Sequence, residues 1–133
     1  MSGSLRIVLI LVAAFHVIAF IGEVFLWPIP ALHEALLPGI NPDSTLDPAD
    51  EAAVLAGLFL NIGFYNLMVA AGAVLAVMLA KRGNPGAGRI MGGYIGAFAL
   101  VAGVVLFFSS ALTGGALVQG LLGALALGLA LRG

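Results

Sequence analysis

A chain of 133 residues that is 62% hydrophobic and 8% charged has too little polar surface to coat a globule in water, since soluble domains hold about a quarter charged residues. It is read as one integral membrane domain, 1–133, without cysteine and so without disulfides, thiolate metal sites, iron–sulfur clusters or thiol catalysis. Five scattered basic residues and a net charge of −1 make no nucleic-acid surface, no phosphate loop occurs, and GGYIGAF is not a dinucleotide fingerprint.

The first apolar segment, about 5–27, has a place in the chain where a signal peptide would lie, but it contains His16 and Glu23, lacks a small-x-small cleavage site and ends in Trp27-Pro28. It is taken as a retained span. The next connection, PIPALHEALLPGINPDSTLDPADE, holds five of the six prolines. Within it ALHEALL suits a short interfacial helix with His33 and Glu34 on the wet side. Asp47-Pro48 supplies an N-cap followed by proline at the first helical position. Helix two, from about Pro48 to Lys81 with its span at about 52–80, is then roughly 50 Å long and projects beyond the hydrocarbon or tilts.

The turn KRGNPGAGR is tight, basic and glycine-rich. Helices three and four, with spans at about 90–112 and 116–131, carry small residues at four-residue spacing: Gly92 and Gly96, then Ala116, Gly120, Ala124 and Gly128. Such ridges let helix backbones approach closely, within the bundle or across a dimer face.

Arg6, Lys81, Arg82, Arg89 and Arg132 fall where a four-span zigzag has one side, and Glu23, Glu34, Asp43, Asp47, Asp50 and Glu51 fall in the opposite half. Cytoplasmic loops collect Lys and Arg. The expected fold is therefore all-α: an integral membrane four-helix bundle in the plasma (inner) membrane, both termini cytoplasmic, with an extended outer loop between helices one and two.

With the basic residues as the inner boundary, His16 lies roughly 15 Å up and Glu23 roughly 25 Å, while Tyr65 and Asn66 on the descending helix come at about 24 and about 22 Å. Asn61, Ser109 and Ser110 lie near ~30 Å and Gln119 near ~20 Å. His16 and Glu23 share a face, with Phe20 and Trp27 completing the stripe, and Asn61 shares a face with Tyr65. Polar stripes at matching depth on consecutive antiparallel helices predict a polar pocket between helices one and two, roofed by the outer loop and reached by Gln119.

His16, EVFLW at 23–27, NIGFYN at 61–66 and Gln119 together make a pattern that resembles a family of small four-span membrane proteins of bacteria and fungi, catalogued as a domain of unknown function. The resemblance covers most of the chain. It departs at Ile62, where the family is expected to carry a polar Gln, and in an outer loop longer than usual. It implies the four-helix fold and these positions, and it implies no activity.

Three functions compete. In the first, a lipophilic small molecule enters from the outer leaflet. Glu23 serves as acid or base, His16 as relay and Tyr65 as a third catalytic group, while Asn61, Asn66, Trp27 and Gln119 bind the ligand. Isomerisation or hydrolysis suits these groups better than redox chemistry. The second is proton-coupled transport, by likeness to small multidrug transporters with a first-helix glutamate, although antiparallel dimers need balanced loop charge and this chain is biased. The third is an accessory subunit, or a homodimer, docking through the glycine ridges of helices three and four. The bland alternative for Asn61, Tyr65 and Asn66 is interhelical glue, averaging under about 2 kcal/mol per bond. No metal or cofactor is expected; haem on His16 would want a further histidine on the helix. Membrane lipids are the expected neighbours, and nucleic acid is not a partner.

Overall fold

The computed structural model describes residues 1–132. Helix α1 spans Gly3–Ile21 and runs on through one wide turn of π type, Gly22–Leu26. A short helix, α2 (Pro30–Ile40), precedes α3 (Pro48–Lys81), α4 (Pro85–Ser109) and α5 (Thr113–Arg132). Four helical spans, Gly3–Leu26 and the whole of α3, α4 and α5, are long and apolar enough to cross a membrane. This is the architecture of a multi-pass membrane protein.

Local chemistry sets the boundaries. Ser2 accepts a hydrogen bond from the Leu5 amide at 3.2 Å, Asp47 from Ala49 at 3.0 Å and Asn84 from Ala87 at 3.2 Å. Each caps a helix whose first amides would otherwise lack partners. Pro48 and Pro85 occupy first-turn positions where the missing N–H costs nothing. Between α3 and α4 only Gly83 adopts a left-handed conformation, φ 88°, which closes the turn between them.

The chain runs up and down, so both termini and all five basic residues lie at one end. There Leu5, Leu9 and Val12 of α1 pack against Ala70, Ala73 and Val77 of α3, with Ile95, Ala126 and Ala130 closing the core. Small residues let backbones touch. A methyl added to Gly88 would lie 2.5 Å from the Ala76 carbonyl, one on Gly96 would lie 2.6 Å from the Leu127 amide, and one on Gly103 would lie 2.6 Å from the Gly120 Cα. At Gly123 it would strike the Leu100 amide. Most of the small-residue ridge is thus spent inside the bundle: Gly92 receives Leu9, Gly120 faces Gly103 and Ala116 is buried. Only Ala124 and Gly128 of that ridge stand clear, Ala124 exposed and Gly128 with open space beside it.

At the other end α2 folds down as a cap. The Trp27 indole N–H donates to the Ala52 carbonyl at 3.0 Å, and the ring stacks on Phe59 with centroids 3.9 Å apart. His33 donates through Nδ1 to the Trp27 carbonyl at 3.1 Å. Expected on the wet side of the cap, His33 is instead 6% exposed, because this bond and its ring contact with Trp27 turn it inward. Glu34 does face outward. Asn41 donates to the buried Glu51 at 2.8 Å, and the Ala111 amide donates to the Gly39 carbonyl at 2.7 Å, tying the cap to the α4–α5 turn.

Gly123→Val should therefore lower stability by about 1–3 kcal/mol or more through overpacking, while Gly128→Ala stays within about 0.5 kcal/mol of the parent. Reversible unfolding in mixed micelles measures both; equal effects would refute the α4–α5 backbone contact.

Candidate functional site

The site begins with a glycine. On α3, a Cβ at Gly63 would collide with a methyl of Val24 and lie 3.3 Å from the Glu23 Cβ, so the wide turn of α1 presses directly on the α3 backbone. Asn66, one turn along α3 on the same side, donates its Nδ2–H to Glu23 Oε2 at 2.8 Å. The turn Gly22–Leu26 is the feature that sequence periodicity missed. A π-type turn widens the helix by one residue and often marks a functional site. It breaks the expected stripe just past Glu23: Trp27, 3% exposed, lies in the cap core and not beside the carboxylate.

Glu23 and Asn66 form part of the wall of a cavity of about 680 Å³. It lies between α3 and α4, not between the first two spans as the sequence reading expects. The reason is the Gly63 contact, which brings α1 and α3 too close to leave a hollow. Room opens on the other side because α4 stays on α5 along its length but parts from α3. Its N-terminal half touches both, through Gly88 against Ala76 and Ile95 against Gly72 of α3 and Gly96 against Leu127 of α5. Its C-terminal half is held to α5 by the Gly103–Gly120 approach, leaving a cleft against α3.

Tyr94, Phe98 and Val101 of α4 form one wall, Tyr65 and Ile62 of α3 the other, and Gln119 of α5 reaches the back. Tyr65 and Tyr94, 60% and 67% exposed, stand at the mouth, where a membrane would present its acyl chains. The α4 wall was legible in principle: Tyr94, Phe98, Val101 and Val105 repeat at helical spacing, but the small residues of the same helix mask them.

The remaining expected site residues are dispersed. Asn61 is exposed and does not line the cavity. His16, 1% exposed, sits behind Gln119. Its Nδ1 is 2.8 Å from the Val12 carbonyl, which can only accept, so Nδ1 carries a proton and donates it. Gln119 presents its amide nitrogen to Nε2 at 3.5 Å, the far limit of such a bond. The nitrogen that haem iron would take thus faces Gln119. Among the described residues no group of three or more acidic or histidine side chains is gathered as a metal would need.

The electrostatics are one-sided. Glu23 is half-buried, its one hydrogen-bonded side-chain partner among the described residues is Asn66, and every Lys and Arg lies at the opposite end of its span.

A family model described as Protein of unknown function (DUF1304) matches residues 10–131. No curated protein and no solved structure matches the chain.

A double-mutant cycle of Glu23→Ala and Asn66→Ala should give a coupling of about 1 kcal/mol, between ~0.6 and ~1.7, as for hydrogen bonds between membrane helices. Unfolding in bicelles reads it; strictly additive losses would show that the two side chains do not meet.

Proposed function

The chain belongs to the family described as Protein of unknown function (DUF1304), a membership that carries no activity, and from its own residues we propose that it binds a lipophilic small molecule in the cleft between α3 and α4. One observation carries this reading: a cavity of about 680 Å³ with exposed Tyr65 and Tyr94 on its lining and Glu23, Asn66 and Gln119 at its back. Ligand sites are commonly apolar hollows of about 300–1,000 Å³ with a few convergent polar groups. A carboxyl at this depth costs a few kcal/mol without partners, and such residues mark pathways or sites more often than packing.

With Lys and Arg collected on the cytoplasmic side, both termini are inside the cell and the cleft belongs to the outer leaflet of the plasma membrane. The ligand arrives sideways from the acyl chains, past Tyr65 and Tyr94. In this position Glu23 can move a proton to or from the bound molecule, with Tyr65 as a nearby hydroxyl, which suits an isomerisation better than a hydrolysis. His16 acts as a support for Gln119 in place of a relay, since both of its nitrogens turn toward protein partners.

Ala102 lines the cleft and is half-buried. Ala102→Phe should fill it. Native mass spectrometry of protein released from nanodiscs should find a retained lipophilic molecule on the parent and at least about tenfold less on the variant, with an unchanged or higher midpoint of unfolding, since filling a hollow adds contacts. Equal retention by a folded variant would remove the cleft as the binding place.

A further inference from the structure

The hydrogen-bond state of the cleft's back wall narrows its ligand. Asn66 gives an N–H to Oε2 of Glu23, 2.8 Å away. Gln119 turns its amide nitrogen toward Nε2 of His16, 3.5 Å away. Each amide thus turns one N–H toward a protein partner and keeps its second, while among the described residues the carbonyl oxygens of Asn66 and Gln119 and the second oxygen of Glu23 have no protein side-chain partner. Ser109, Tyr65 and Tyr94, also on the lining, carry hydroxyls that can accept as well as donate.

The charge points the same way. No Lys or Arg occurs between Arg6 and Lys81, so nothing on α1, α2 or the outer half of α3 supplies a cation to Glu23, and α4 and α5 carry theirs at Arg89 and Arg132, at the other end of the bundle. His33 is held in the cap by the Trp27 carbonyl. The aromatic faces of Tyr65, Tyr94 and Phe98 along the way in attract cations.

Resting on the cleft reading, we infer that the ligand is a membrane amphiphile with a protonated primary amine: its ammonium group lies among Glu23, Asn66 and Gln119, and its hydrocarbon lies along Phe98 and Val101 toward the mouth. An ammonium offers three donors and one positive charge, which suits a wall with more free acceptors than donors and a carboxyl group that no Lys or Arg of the chain reaches. A primary amine of the lysine type is charged at neutral pH. A neutral alcohol offers one donor and no charge.

The probes are dodecylamine and dodecanol, identical in chain and different in head, each titrated as a mole fraction of neutral phosphatidylcholine nanodiscs holding the full chain, with the unfolding midpoint as readout. The amine should stabilise the protein at a mole fraction at least about tenfold lower than the alcohol, which is about 1.4 kcal/mol of preference. Glu23→Gln should bring the two probes level, Glu23→Asp should keep the preference, and Glu34→Gln, an exposed carboxylate on the cap, should leave it untouched. If Glu23→Gln does not fold, Ala102→Phe decides in its place, since filling the cleft should remove the advantage of the amine over the alcohol, and an advantage that survives it would overturn the inference. Equal action of both probes on the wild type, with Ala102→Phe abolishing both, would overturn the ammonium inference and leave the cleft as a binding place. Amine preference that survives Glu23→Gln, or is lost with Glu34→Gln, would overturn it too. Failure of either probe to stabilise the wild type would end this inference and the cleft reading together.

Discussion

The contact between Gly63 and the wide turn of α1 governs the outer half of the molecule. Hydrocarbon offers no water to a stranded polar group, so a carboxylate there must meet its partner through the fold itself. A side chain at position 63 would hold α1 and α3 apart; glycine lets the turn press onto α3 and sets Glu23 within 2.8 Å of Asn66. The turn also redirects the residues beyond it. Because the helix gains a residue of width after Ile21, Trp27 rotates out of line with His16 and becomes the anchor of the cap. One irregularity thus serves two places, the polar wall and the roof.

A second constraint decides where empty space can exist. Helix association in a membrane relies on close packing more than on a hydrophobic drive, and small residues permit it. The half of the bundle that holds the basic residues uses them on every side, through Ala73, Ala76, Gly88 and Gly92. In the other half they serve two pairs and leave a third apart. Gly63 admits the turn of α1 to α3, and Gly103 and Gly120 draw α4 to α5, while α4 presents Tyr94, Phe98 and Val101 toward α3, side chains that cannot interlock as closely as glycine and alanine. The cleft is the geometrical remainder of that choice, and it comes to lie beside Glu23.

Much of this was legible in order of physical strength. Four apolar helices and the gathering of basic residues at one end follow from transfer energies that dominate every local preference. The short cap helix was legible from ALHEALL, and the pairing of helices one and two at the depth of Glu23 and Asn66 from rise per residue alone. Periodicity failed where the period itself changes: no composition marks Gly22–Leu26 as a π-type turn, so Trp27 was carried along a stripe that the chain abandons. Polarity also misled at His33, since its neighbours Glu34 and the prolines read as wet while its partner, the Trp27 carbonyl, is a backbone group that sequence does not display. The side of α3 on which a hollow forms depends on whether two backbones touch, which is a property of pairs such as Gly63 with Val24 and not of either helix.

The cap and the cleft together constrain what can reach Glu23. From Trp27 on Ala52 through Asn41 on Glu51 to Gly39 on Ala111, α2 is fastened across the outer end of the bundle at both of its ends. The side between Tyr65 and Tyr94 has no such fastening, and both phenols are largely exposed there. A solute in water meets the cap, whereas a solute in the membrane meets an opening at its own depth. Reaching the back wall then means drawing a polar head below the interface, a step that hydrocarbon opposes. On the proposed reading Glu23, held at that depth by a single amide, is the group that offsets it: the cost of placing the carboxyl was met when the chain folded, so its attraction is available to an incoming head without further rearrangement.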